Sequence, residues 1–281
     1  MSLFTASLNS GSNANCYYVG NREEGVLIDA GLSCRETERR MKQLSLSLEK
    51  VKALFVSHEH ADHISGVPGL AKKYGFLVYI TARTLAHGKI PIDPAQVRSF
   101  RDQQAVQIGE LEVIPFRKSH DAADPHSFLV SHRGTRIGVI TDIGYACKRV
   151  IHYFRQCHAV YLESNYCEEM LEKGHYPYPL KKRIRGDEGH LSNRQALELF
   201  TAFRTPELQL LILSHLSKNN NDPRVVKALF APHASDVRVV VASRYEPSEI
   251  FEVQSGATVT LTPFLKSKKG KEKNKGQLSL F

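Results

Sequence analysis

The chain lacks a Cys-X-X-Cys pair, and its five cysteines (Cys16, Cys34, Cys147, Cys157 and Cys167) are scattered, which points to reduced thiols in the cytoplasm. No apolar run reaches the roughly 18 residues that a membrane span requires. Residues 1–15 contain no basic stretch followed by an apolar one, so neither secretion nor membrane insertion is expected. No internal repeat is visible. A strongly basic body is missing too: of the formal charge of +9, residues 266–275 supply six lysines against one glutamate, or +5, leaving +4 for the remainder. Bulk charge is therefore a weak argument for a polyanionic partner. A body of roughly 260 residues suits one large α/β domain with a sizeable core.

What the chain does have is His58-Glu59-His60-Ala61-Asp62-His63, three imidazoles and a carboxylate at metal-ligand spacing. The preceding Val51-Lys52-Ala53-Leu54-Phe55-Val56-Ser57 is β-branched and aromatic and reads as a buried strand. The cluster is then a loop leaving a strand end, where catalytic groups concentrate. A zincin helix needs His at both ends of a five-residue span, and Asp62 stands where the second would be. Further ligand-type residues occur where other apolar runs stop: Ser119-His120-Asp121 after Leu111 to Phe116, Thr141-Asp142 after Ile137 to Ile140, Ser214-His215 after Leu210 to Leu213, and Asp29 after Leu27-Ile28. Any one alone would be an ordinary turn residue. Their ordered recurrence is not.

That order (Asp29, the 58–63 cluster, His120, Asp142, His215) resembles the motifs of the metallo-β-lactamase fold superfamily over roughly residues 1–262. The resemblance implies an α/β fold, a four-layer αββα sandwich of two mixed sheets packed face to face with helices outside. It implies one metal held by His58, His60 and His120, a second held by Asp62, His63 and His215, and Asp142 bridging them. Asp29 would orient the ligand loop from behind. The bridging residue is a carboxylate and no cysteine falls at a ligand place, which departs from the true β-lactamases. Two divalent cations about 3.5–4 Å apart would deprotonate a shared water and neutralise charge on an attacked phosphorus, chemistry suited to phosphodiesters. Imidazole and carboxylate fit zinc, and the oxygen donors also admit manganese or iron.

Lys181, Lys182, Arg183 and Arg185 place four cations within five residues, shortly before His190-Leu191-Ser192-Asn193. Ser192 and Gln195 form a capping-box pattern, and Leu197, Leu199, Phe200 and Phe203 continue at helical spacing. A helix N-terminus beside His190 suits a phosphate. His190 lies 25 residues before His215, which is similar to ribonuclease Z and its nuclease relatives; the resemblance makes His190 a phosphate contact or a proton donor to the leaving oxygen, with Asp62 the other catalytic residue. Lys181, Lys182, Arg183, Arg185, Ser192, Asn193, Asn219 and Asn220 are candidate phosphate or substrate contacts. The strings Glu163-Ser164-Asn165-Tyr166, Gly189 to Asn193 and Leu213 to Asn220 resemble the YycJ-like (WalJ-like) subfamily of DNA exonucleases. The interval from Asp142 to His215 is too short for the cap domain of ribonuclease J-type enzymes, which leaves an open groove. Of the other histidines, His87, His132, His152, His158, His175 and His233 have no motif context; His126 stays open.

Residues 265–276 are lysine-rich and cannot pack as a core, so a disordered linker is expected there. The chain then ends Gln277-Leu278-Ser279-Leu280-Phe281, which resembles the peptide by which bacterial replication and repair proteins dock on the sliding clamp (beta clamp). Leu280 and Phe281 would fill an apolar pocket, with Leu278 beside them and Gln277 making orienting hydrogen bonds. The expected organisation is a hydrolase domain over 1–264, the linker, and the clamp-binding peptide 277–281. The expected function is a two-metal phosphodiesterase acting on DNA, a 5′ to 3′ exonuclease tethered to the clamp. The alternatives are an RNA-processing nuclease of the same fold and a glyoxalase-type (thio)ester hydrolase; the terminal peptide separates the first from these.

Overall fold

The computed structural model describes residues 2–256 and 259–261; the linker, the terminal pentapeptide and the boundary drawn at residue 264 lie outside the described residues. Strands β1 (Leu3–Asn9), β2 (Cys16–Gly20), β3 (Gly25–Ile28), β4 (Val51–Phe55), β5 (Leu77–Tyr79) and β6 (Val97–Arg98) lie side by side in chain order. A second sheet holds β7 (Val106–Ile108), β8 (Leu111–Arg117), β9 (His126–His132), β10 (Thr135–Ile140), β11 (Ala159–Glu163), β12 (Leu210–Ser214) and β13 (Arg238–Val241), again in chain order. The chain then returns: β14 (Phe251–Val253) pairs antiparallel with β1, and β15 (Thr260–Leu261) with β14. Each sheet is mixed. The pairs from β3 to β6 and from β10 to β13 are parallel, and the remainder are antiparallel.

The sequence runs are continuous and apolar because both faces of the central strands are buried. In β4, Ala53 and Phe55 enter the layer between the sheets, while Leu54 faces the first helical layer. In β12, Leu210 and Ile212 face inward, and Leu211 and Leu213 face the second helical layer. Tyr17 packs on Tyr161 across the two sheets at 4.8 Å between ring centroids, and Phe55 on Phe128 at 5.6 Å. Outside the first sheet sit α1 (Cys34–Gln43), α2 (Ala61–Ile64), α3 (Val67–Tyr74) and α4 (Ala82–Gly88). Outside the second lie α5 (Lys148–Phe154), α6 (Glu168–Lys173), α7 (Tyr178–Arg185), α8 (Asn193–Phe203) and α9 (Pro223–Phe230). Met41 and Leu70 cover one sheet, and Phe154, Phe200 and Phe230 the other. The result is the expected four-layer αββα sandwich.

Helix α8 begins as the capping box predicts. Ser192 Oγ accepts from Gln195 N at 3.1 Å, and Gln195 Oε1 accepts from Ser192 N at 2.8 Å. The 58–63 segment differs from a simple loop, since residues 61–64 close one helical turn with His60 as its extended first residue. No helix among the described residues is long and apolar enough to cross a membrane.

Candidate metal centre

Every motif residue sits where a strand ends. Asp29 follows β3, the His58 cluster follows β4, His120 follows β8, Asp142 follows β10 and His215 follows β12. Parallel strands all end at the same edge of their sheet, and ligands bind beyond such carboxyl ends. Asp29, Asp142 and His215 hold left-handed backbone, with φ of 60°, 55° and 56°. That conformation is unusual for side chains other than glycine and clusters at functional sites. Two glycines permit the close approach of the loops. A Cβ on Gly31 would lie 1.7 Å from the Asp62 carbonyl oxygen, and one on Gly144 would lie 1.9 Å from that of Asp187.

The loops bring two sets of ligand atoms together, His58 with His60 and His120, and Asp62 with His63 and His215, each within 4.8 Å. Asp142 lies between them, grouped also with His58 and His63. Hydrogen bonds behind the rings decide which nitrogen is free. His63 donates from Nδ1 to Asp29 Oδ2 at 2.7 Å. His58 donates from Nδ1 to Ser57 Oγ at 2.8 Å, and that hydroxyl donates to Asp29 Oδ2 at 2.7 Å. His120 Nδ1 donates to the Gly189 carbonyl at 3.1 Å, and His215 Nδ1 to Glu163 Oε1 at 3.0 Å. Four Nε2 lone pairs are thereby turned into the same space. His60 Nδ1 faces His58 Nε2 at 3.1 Å.

These residues fit a cation. His120 Nε2, His215 Nε2 and Asp142 Oδ2 are buried without a hydrogen-bond partner, an arrangement that is costly unless something positive takes the lone pairs. Burial holds His58 well below the usual imidazole range and His120 at about 3, so both are neutral donors of electron pairs. Burial also lowers His63 and His215, but the surrounding carboxylates reverse it. Asp142, Asp29 and Asp62 raise His63 well above its ordinary value, and Asp142, Asp62 and Glu163 lift His215 to about 10. The centre demands positive charge.

His190 stands at the rim, its side chain one-fifth exposed, and donates from Nδ1 to Glu163 Oε1 at 2.7 Å. Glu163 was not among the residues singled out for chemistry. Its Oε1 serves both His190 and His215, while Oε2 accepts from Ile143 N at 2.7 Å and Leu191 N at 3.3 Å. Burial opposes its ionisation, yet His190 and His215 bring its pKa down to about 2. In the sequence Glu163 stands out only as the acid closing the apolar run of β11 and as the first residue of the string Glu163-Ser164-Asn165-Tyr166, neither of which gives it a chemical role. Asn15 was missed as well; its Nδ2 reaches Asp62 Oδ2 at 3.1 Å and His63 Nε2 at 3.0 Å. An asparagine before a strand gives no warning of this.

Most of the candidate substrate contacts are occupied elsewhere. Lys181 Nζ donates to the Glu172 carbonyl, Arg183 pairs with Asp121, and Arg185 pairs with Glu172. Lys182 belongs to the same helix, α7, without such an ion pair among the described residues. Ser192 is buried in its cap and donates to Glu168. Asn193 is locked to Asn221 and Ser164, and Asn220 is buried beside Ser217. Asn219 donates to the Tyr176 hydroxyl at 3.1 Å. Ser192 and Asn193 thus hold the loops, because their polar atoms are spent inside the fold, while Asn220 Oδ1 is buried without a hydrogen-bond partner. His126 is buried under the cluster with Nδ1 on the Asp124 carbonyl at 2.9 Å and its ring 5.0 Å from Phe100.

Comparison with known proteins bears on the family and the fold. The profile of the beta-lactamase superfamily domain matches residues 25–216. The chain is 38% identical over 226 residues to exodeoxyribonuclease YycJ of Bacillus anthracis, covering 79% of this chain and 85% of the relative. It is 32% identical over 219 residues to exodeoxyribonuclease WalJ of Streptococcus pneumoniae, covering 76% and 81%. Among solved structures it resembles the metallo-beta-lactamase fold protein YhfI of Bacillus subtilis, with TM-score 0.69, 14% identity, and coverage of 90% of this chain and 100% of that one. Zinc-bound PqqB of Methylobacterium extorquens gives TM-score 0.66 at 13% identity, covering 88% and 99%. At such identities the structures establish the fold alone.

Proposed function

Because the chain belongs to the beta-lactamase superfamily and is a metal-dependent hydrolase, we propose that it hydrolyses phosphodiesters of DNA at two divalent cations, as a 5′ to 3′ exonuclease. The observation carrying this reading is the pair of ligand sets with Asp142 between them, its Oδ2 buried without a hydrogen-bond partner. His58, His60 and His120 would hold one cation, and Asp62, His63 and His215 the other, with Asp142 shared. Bound cations would supply an activated hydroxide and neutralise charge on the phosphate. Nitrogen and carboxylate donors suit zinc or manganese, and admit iron.

The chain's own groups divide the remaining work. Asp29, through Ser57 and His63, fixes two imidazoles in the tautomer that presents Nε2. Glu163 does the same for His215 and holds His190 with Nδ1 occupied, which leaves Nε2 of His190 for a phosphate oxygen or the leaving oxygen. Asn15 steadies Asp62. DNA as substrate draws support from the names of the relatives at 38% and 32% identity, and the polarity from the YycJ-like strings in the sequence. Tethering to the sliding clamp draws on the sequence of residues 277–281, which lie outside the described residues. Such a tether raises local concentration without adding contacts at the centre.

The test incubates 5′-labelled duplex DNA, single-stranded DNA and RNA with the full chain in manganese or zinc, beside His60→Ala and Asp142→Ala. DNA should be degraded with early release of labelled mononucleotide, and either substitution should lower the rate at least about 100-fold. Cleavage of RNA alone would overturn the DNA assignment, and a ladder of shortened labelled products would reverse the polarity. Binding of purified clamp should be lost when residues 277–281 are removed; equal affinity would sink the tether.

A further inference from the structure

Beyond the metal centre, a groove of about 860 Å³ opens where the His120 loop and the Asp142 loop meet. One wall is Arg117 and Ser119, and the other is Tyr145 with Lys148, Arg149 and His152 of α5. Its inner end touches the catalytic loops directly, since Gly144 N donates to the Ser119 carbonyl at 2.8 Å and His120 is the next residue. Outward it continues into a second cavity of about 460 Å³ that shares Lys148 and His152 and adds Arg155. Helix α5 turns Val150, Tyr153 and Phe154 into the core, which leaves Lys148, Arg149 and His152 for the groove.

Two features define what would lie there. Tyr145 is one of four large hydrophobic side chains exposed among the described residues, at 45%, three positions after Asp142. An exposed aromatic ring beside a basic wall is the pattern on which bases stack while cations follow the backbone. Acids are present and do not cancel it. Arg117 pairs with Asp124 at 3.2 Å and Arg149 with Asp102 at 3.4 Å, both arginines being more than a third exposed. The guanidinium ends are open to solvent, although Asp124 and Asp102 are themselves only 13% and 23% exposed, and a phosphate can add to either guanidinium. Lys148 has no ion pair with any described residue.

We propose that this groove carries single-stranded DNA to or from the metal centre, with Tyr145 stacking on a base and Lys148, Arg149 and Arg155 following the phosphates. The inference rests on the phosphodiesterase reading and adds a track for the strand outside the reacting atoms. It also moves the binding surface from α7, whose cations are mostly held by Glu172 and Asp121, to α5.

The experiment measures fluorescence anisotropy of a labelled single-stranded 20-mer with the full chain in EDTA, and separately hydrolysis of bis(4-nitrophenyl) phosphate by the metal-loaded chain. Tyr145→Ala should weaken DNA binding about tenfold or more. Lys148→Glu and Arg149→Glu should each weaken it and flatten the dependence of log affinity on log salt by about 0.7 or more. Hydrolysis of the small diester should stay within about twofold for all three variants, which also reports that they are folded. Unchanged DNA affinity in Tyr145→Ala/Lys148→Glu overturns the groove, even if the wild type degrades DNA. Loss of small-diester hydrolysis together with DNA binding overturns it too, because the residues would then belong to the centre. A groove-dependent affinity for RNA alone overturns the choice of DNA. If the wild type binds DNA through these residues but hydrolyses neither substrate, the groove stands and the phosphodiesterase reading falls.

Discussion

Replacing Gly31 by alanine perturbs the centre through the backbone of Asp62, without changing any ligand side chain. The new Cβ would sit 1.7 Å from the Asp62 carbonyl oxygen, 2.5 Å from its carbon and 2.8 Å from Asn15 N. A carbon and a carbonyl oxygen need about 3.3 Å, so the Gly31 strand end and the Asp62 turn must part by roughly 1.6 Å. That movement strains two backbone bonds, Asn15 N to the Asp62 carbonyl at 2.7 Å and Gly31 N to the Asn15 carbonyl at 2.9 Å. At about 1 kcal/mol each, with the strain added, the loss of stability should be about 2–4 kcal/mol. The displaced Asp62 also leaves Asn15 and the His63/His215 set. A misplacement of about 1 Å costs on the order of 100-fold in rate, and a similar loss of cation affinity should accompany it. The measurements are urea unfolding, metal content by mass spectrometry, and hydrolysis of end-labelled DNA. Gly186→Ala is the control, because its Cβ would meet only ordinary contacts, 3.4 Å or more from the nearest carbonyl. Full metal content and activity within twofold in Gly31→Ala would refute the idea that this contact sets the position of Asp62.

Glu163→Gln keeps the shape but removes the charge serving two imidazoles, and should lower kcat about 10–100-fold with weaker cation binding; wild-type kcat would count against the orienting role. Chelation should lower Tm, and zinc or manganese should restore it, one bound cation adding about 2.7 kcal/mol of stability at a hundredfold excess over Kd; a Tm indifferent to both would contradict a cation at the centre. His158 is a separate probe, far from the ligands in sequence. Burial, then the charge of Arg136, lowers its pKa, and its Nδ1 accepts from Arg136 N at 3.1 Å. The unfolded chain therefore binds this proton more readily than the folded one, so the contribution is present above about pH 6.5 and is lost as pH falls below it. His158→Asn should shrink the drop in Tm between pH 7.5 and pH 5.5, whereas parallel curves for the two proteins would exclude His158 as a source.

The central strands were legible because they are buried on both faces and read as unbroken apolar runs, and each motif residue was visible because it interrupts such a run at its carboxyl end. The three-residue β5 and the two-residue β6 and β15 are too short to carry any periodicity. Glu163 was visible as part of a family string but not as a chemical group, since an acid closing a strand looks like any strand end. What it does depends on His190 and His215, 27 and 52 residues further on. The cation run of α7 was visible as charge, but its partners Glu172 and Asp121 come from other segments, and spacing alone does not reveal pairing. Ser192 is instructive because one hydroxyl was expected both to cap a helix and to meet a substrate, and the cap used it.

The return of β14 to pair with β1 has a consequence for the order in which the centre can form. Leu3 faces Val253, and Ser10, just past the end of β1, accepts from His215 N through its hydroxyl at 2.8 Å while its own N donates to the Ser243 carbonyl at 3.1 Å. During synthesis the first strand emerges with an open edge and waits for nearly the whole chain before that edge is closed. The histidine cluster is made early, yet its framework is complete only after residues 210–253 have been added. A growing chain therefore carries most of the candidate ligands before the framework that brings them together, and the centre can be complete only once residues 210–253 are in place.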